Sequence, residues 1–203
     1  MQIIQKTRLE AFSDGVFAII ITLLVLEIKV PHLQDHHATE NLISALRELL
    51  PKFVSWVISF LMVAVIWINH HRLLETVSQL SASFFWLNAN LLLWTSFIPF
   101  PTALLGDYAH NTLAVSFYGI VFCLCALAFV FLRLHLLKNP HLVRETISTN
   151  MLRKSVIRSV VAGPVVYLAG AGLAWVHPVI SWIIYFLIPV YFIFPVTQSK
   201  EKA

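Results

Sequence analysis

Charge is what this sequence has least of. Aspartate, glutamate, lysine and arginine make up 12% of its 203 residues, against roughly 25% in an ordinary soluble domain. With 59% hydrophobic residues and a mean hydropathy of +0.80, the chain reads as an integral membrane protein. Cysteine is almost absent as well. Cys123 and Cys125 are the two present; they fall inside one apolar block, where a helix points them about 200° apart. Such a pair offers no disulfide framework and no metal site, so both are expected as buried thiols. Catalytic signatures are missing altogether: there is no nucleophile elbow, Walker loop, dinucleotide fingerprint or HExxH zinc motif. An enzyme reading has no residues to stand on, no cofactor is expected, and nucleic acid is not among the expected partners. A helix with arginine at every third position is lacking too, which argues against intrinsic voltage sensing. Nor is there a removable signal peptide in view. Lys6 and Arg8 resemble its charged start, but Asp14 interrupts and no small-x-small site follows.

What the chain has instead is long apolar blocks. The first charge-free block, 15–26, has 12 residues, about 18 Å of helix and short of the roughly 20 residues that a lone spanning helix needs. Blocks at 53–68, 84–106 and 108–132 are plausible spans. Residues 159–199 are charge-free for 41 positions, about two bilayer crossings, and "WVHP" at 175–178 is the place to turn back. The expectation is an all-α fold of six transmembrane helices at about 12–30, 51–72, 83–106, 109–137, 154–174 and 178–197. Both termini then share a side. With the termini inside, eleven Lys and Arg are cytoplasmic and three, Lys29, Arg47 and Lys52, are outside, a strong positive-inside signal for a cell (plasma or inner) membrane. Glu27, Asp35, Glu40, Glu48 and Asp107 leave the outer side mildly acidic, which favours cations.

The outer loop "ATENLISALRELLPKF" places Leu42, Leu46 and Leu49 at helical spacing after Thr39, a cap candidate. It predicts a short amphipathic helix at about 39–49 on the outer surface. The basic inner loop between the fourth and fifth spans reads as a segment lying against anionic membrane lipid. His70 and His71 are adjacent and diverge by about 100° on a helix, which suits hydrogen bonding at a helix end better than metal binding. His36 and His37 lie in the outer loop. Asn88, Thr95 and Thr102 recur at seven-residue steps, a polar stripe suited to bonding neighbouring helices.

The first helix carries an acid beside its apolar block. Taking Ile19 as zero, Gly15, Thr22, Leu23 and Leu26 fall at about −40°, −60°, +40° and −20°, whereas Asp14 falls at about 220°. One face is thus apolar with a single hydroxyl, and the acid points to the other side. Ser13 and Asp14 either cap the helix, with Gly15 allowing close packing, or join it to neighbours inside a bundle.

Arg8, Phe12, Ser13 and Asp14 match the RxxxFSD signature of the endolysosomal potassium channel family and its prokaryotic single-repeat relatives. "WINHHRL" at 67–73 and "PFPTALLG" at 99–106 also resemble that family, and the similarity in segment order covers nearly the whole chain. The resemblance implies a homotetramer of six-helix subunits with the first helices around a potassium-permeable pore. It further implies a constriction at Ile19, Leu23 and Leu26, with Thr22 as a selectivity hydroxyl ring. Arg8, Phe12, Ser13 and Asp14 would anchor the helix between neighbours, with His70 and His71 as candidate partners. The competing readings are a proton- or cation-coupled secondary transporter and a non-conducting membrane scaffold.

Overall fold

The computed structural model describes residues 5–32 and 39–193. His36, His37 and Asp35 therefore lie outside the described residues, as do the last four positions of the expected sixth helix. The helices run α1 (Lys6–Leu24), α2 (Thr39–Glu48), α3 (Leu50–Thr76), α4 (Ala82–Ser96), α5 (Pro99–Asp107), α6 (Thr112–Lys138), α7 (Thr149–Val160), α8 (Val166–Leu173) and α9 (Pro178–Ile193). A 3₁₀ turn, Val25–Glu27, extends α1, and a π-helical turn, Val161–Val165, joins α7 to α8.

Five segments are long and apolar enough to cross a bilayer: Lys6–Glu27, Leu50–Thr76, Ala82–Asp107, Thr112–Lys138 and Thr149–Leu173. α9 is as apolar but has 16 residues within the described chain. The chain is thus a multi-pass membrane protein. The first span departs from expectation most. It starts six residues before position 12 and stops three before position 30, so its 22 residues reach about 33 Å. Arg8, Glu10 and Asp14 are inside the helix, and counting the charge-free block alone made the span look too short.

Local chemistry explains most of the other boundaries. Ser81 Oγ accepts from Phe84 N at 3.1 Å and starts α4. Asn111 Oδ1 accepts from Leu113 N and Ala114 N and starts α6, three residues later than expected. The expected third helix is broken between Ser96 and Pro99. Pro99 has no N–H and its ring crowds the carbonyl four residues earlier, so α4 closes with i→i−3 bonds from Phe97 N and Ile98 N. Pro99 and Pro101 then occupy the first turn of α5, where prolines are tolerated. The fifth span begins at Thr149, capped by Ser148, and takes up Pro164 in its π-helical turn. A turn at 174–176 precedes Pro178, where the chain reverses as expected.

α6 is the most buried span and the centre of the bundle, packed by α4 and α5 on one side and α7, α8 and α9 on the other. Tyr185 of α9 lies over Gly170 of α8 and Gly119 of α6, and its hydroxyl donates to Val115 O at 3.1 Å. Ser181 Oγ donates to Gly170 O at 2.6 Å, and Ser116 Oγ to Ala171 O at 2.8 Å. Cys123 and Cys125 are buried free thiols of α6. α2 has no buried residue; Leu42, Ile43 and Leu46 stay exposed along it.

The ends of the bundle differ in charge. One end gathers the start of α1, the α3–α4 loop and the α6–α7 loop: Lys6 Nζ donates to Val77 O at 2.9 Å, Val77 pairs with Val143, and Arg144 N donates to Thr76 O at 2.9 Å. We call this the basic end. The other carries the Lys52–Asp107 ion pair at 2.5 Å and the 2.9 Å bond from Trp182 Nε1 to Ala109 O.

Candidate functional site

α1 presents two unlike faces. Leu9, Ser13, Phe17, Ile20 and Leu24 recur every three or four residues and are buried, against α3, α4 and α5. On the opposite face Phe12, Ile19, Leu23 and Leu26 are 55%, 59%, 43% and 66% exposed, with Arg8, Gly15 and Thr22 exposed beside them. Among the described residues nothing covers this apolar strip. The four residues expected on one face are on it, although Leu26 belongs to the 3₁₀ turn rather than to the α-helix.

Thr22 Oγ1 donates to Ala18 O at 3.1 Å and to Ile19 O at 2.9 Å. Its single proton is spent on the helix's own backbone, so the oxygen meets the exposed side as an acceptor.

Where the buried face meets its neighbours, polar groups interlock. Ser13 Oγ accepts from Asn88 Nδ2 at 3.0 Å, and Asn88 Oδ1 accepts from His70 Nε2 at 2.6 Å; all three are buried. The His70 ring lies 5.4 Å from that of Phe17. One residue on, Asp14 Oδ1 accepts from Trp67 Nε1 at 2.8 Å. Trp67 stacks on His71, which stands 3.6 Å from Glu75. The histidines are thus near the signature but are not the acid's hydrogen-bond partners: His70 reaches Ser13 through Asn88, and His71 lies behind Trp67. Trp67 was missed by sequence reasoning, although it lies in the quoted "WINHHRL". Its helical spacing of three and four residues from the two histidines was the available signal.

Of the other two signature residues, Arg8 makes no ion pair among the described residues, and both Arg8 and Phe12 stay on the exposed face. In the polar stripe, Asn88 bonds α1 and α3, and Thr102 Oγ1 donates to Ser59 Oγ at 2.7 Å, with Tyr118 3.0 Å beyond. Thr95 turns back on Leu91 O and Leu92 O of its own helix. Among the described residues no three His, Cys, Asp or Glu side chains are placed to hold a metal.

Comparison with known proteins places this arrangement. The sequence profile of the family described as "Endosomal/lysosomal potassium channel TMEM175" matches residues 8–99, a stretch that opens at Arg8 and includes Trp67, His70 and Asn88. A potassium channel of Chamaesiphon minutus is 37% identical over 190 residues, covering 91% of this chain and 92% of that one. A potassium channel of Chryseobacterium is 33% identical, with 97% of both chains covered. The crystal structure of a lysosomal potassium-selective channel TMEM175 homolog from Chamaesiphon minutus superposes with a TM-score of 0.80 at 36% identity, over 94% of this chain and 97% of that one. The chain therefore belongs to the TMEM175 family, a family of ion channels and not of enzymes.

Proposed function

We propose that the chain is a potassium channel, moderately selective and passive, in which four copies assemble with their α1 helices around a central pore. The observation that carries this reading is the uncovered apolar face of α1. Its opposite face is packed into the bundle, and this face carries the exposed signature residues Arg8 and Phe12 in line with Ile19, Leu23 and Leu26. Four equivalent helices round an axis cover that line with no new sequence, where lipid covers the other exposed apolar positions. The relatives described as potassium channels support it.

In such a tetramer Ile19, Leu23 and Leu26 form three stacked apolar rings within about 10 Å of helix rise. Rings of small radius exclude water, so the pore conducts when α1 widens or rotates enough to wet them. Thr22 sits between the first two rings. Four hydroxyl oxygens with their protons already engaged face a passing cation with lone pairs and replace part of its hydration shell. Hydroxyl rings discriminate less sharply than stacked carbonyls, which makes the selectivity moderate. Ser13 and Asp14 anchor α1 from the other side. Six spans per subunit, with α9 as the sixth, put both termini on the basic end, and the positive-inside rule makes that end cytoplasmic in the cell membrane.

The test is the reversal potential of purified protein reconstituted in asymmetric potassium and sodium, together with the crosslinked mass in detergent. A potential near that of potassium and a mass of four subunits are expected. Saturating flux that requires a second ion gradient would establish a coupled transporter, and absence of both flux and current a scaffold.

A further inference from the structure

One cavity of the described chain takes no part in that reading. It lies between α3, α6, the α7–α8 span and α9 and has a volume of about 550 Å³, inside the range of roughly 300–1,000 Å³ typical of small-molecule sites. α1 does not line it.

Its walls sort by depth. Arg72, Arg133, Lys154 and Arg158 line the part toward the basic end, and Met62, Phe122 and Tyr167 line the part within the bundle. Arg72 and Met62 are ten residues apart on α3, about 15 Å along the axis, and Arg133 and Phe122 are separated by a similar length of α6. No carboxylate lines the cavity, and none of the four cations is in an ion pair among the described residues. Arg133 is the deepest set. Its guanidinium lies 4.9 Å over the Phe129 ring and bonds Ser155, while its buried Nε has no partner among the described residues. The π-helical turn borders the same space through Ala162 and Gly163.

Four like charges around one opening repel one another, and an anion among them relieves that cost. A free phosphate answers the charges but leaves the apolar depth unfilled. A neutral hydrocarbon answers the depth and leaves the charges. We infer that this cavity binds one anionic phospholipid, its phosphate among Arg72, Arg133, Lys154 and Arg158 and an acyl chain against Met62, Phe122 and Tyr167. A basic pocket between membrane helices, opening at the level of lipid headgroups, suits that class of ligand.

The experiment is native mass spectrometry of the delipidated full-length protein titrated with phosphatidylglycerol or with phosphatidylcholine of the same acyl chains. Wild type is expected to bind one phosphatidylglycerol per chain about ten-fold more tightly than phosphatidylcholine. In Arg72→Gln/Lys154→Gln/Arg158→Gln the preference falls to near parity, and Ala162→Trp, which fills the cavity, weakens both lipids. Excess inorganic phosphate leaves the lipid in place. Equal binding of the two lipids by wild type overturns the inference, and so does phosphatidylglycerol affinity untouched by Ala162→Trp, the variant that decides if the triple substitution does not fold. Displacement of lipid by phosphate reduces the site to an anion site and also overturns it.

Discussion

Trp67 Nε1 reaches across from α3 to the Asp14 carboxylate of α1 at 2.8 Å, closing 53 residues of chain through one side chain that faces away from the strip of Ile19 and Leu23. The acid is therefore a tether of the first helix. Asp14→Ala is expected to cost about 1 kcal/mol of stability, the ordinary value of an exposed hydrogen bond, and to lower the yield of crosslinked tetramer while leaving the permeability ratio alone. Thermal unfolding in detergent and crosslinked mass check it. A stable tetramer with altered selectivity would show that Asp14 faces the pore instead.

Asn88 is a more demanding position, because it satisfies Ser13 and His70 at once. Asn88→Leu leaves a hydroxyl and an imidazole buried without partners, at a cost of about 3 kcal/mol. Paired with His70→Phe, the double variant should lose clearly less than the two single losses added together, since both break one unit. Simple additivity in denaturant titrations would mean that the three residues do not act together.

Ile19→Asn puts an amide where an apolar ring is proposed. Single-channel recordings in bilayers should show higher conductance or weaker cation selectivity, because a polar ring wets at a smaller radius. An unchanged record would remove Ile19 from the constriction.

Thr22→Val keeps the volume and deletes the oxygen. Conduction is expected to persist while the potassium-to-sodium permeability ratio falls, read from the reversal potential. If the ratio is preserved, the discrimination lies elsewhere on the pore.

Gly170→Ala and Gly172→Ala form a matched pair two residues apart on α8, so they point to different sides. A Cβ at Gly170 meets Tyr185 Cε1 at 2.6 Å, whereas one at Gly172 meets nothing within 4 Å. The first should destabilise by about 1–3 kcal/mol, the usual penalty of overpacking, and the second should be close to neutral. Melting curves of the two proteins decide it.

How legible all this was in the sequence varied with the kind of information involved. The α1 strip could be read because 100° per residue fixes which side chains share a face, and no tertiary contact is needed to know it. The extent of α1 could not, because Arg8, Glu10 and Asp14 were counted as interruptions when their helical neighbours carry the span past them. The break at Pro99 follows a local rule that prolines carry in the sequence: two of them two residues apart end one helix and start the next, inside the single helix expected over 83–106. The Trp67–Asp14 bond and the Ser13–Asn88–His70 chain depend on how α1, α3 and α4 cross. Periodicity says that Asn88 is polar and inward, but not which serine it meets. The cavity was the least visible, since its cations come from three separate helices and gather only when those helices pack.

The loops at the basic end have a mechanical consequence for α1. Lys6 is held by Val77, Val77 is paired with Val143, and Ser13 and Asp14 are pinned about two turns farther along. The helix is thus fastened twice within its first nine residues, whereas beyond them Gly15 has open space around its Cα. Like a post set at its foot, α1 is bonded to its neighbours low down and above Asp14 is held by the apolar packing of Phe17, Ile20 and Leu24, so the stretch that carries Ile19, Leu23 and Leu26 rests on contacts that can slide rather than on side-chain hydrogen bonds that must break.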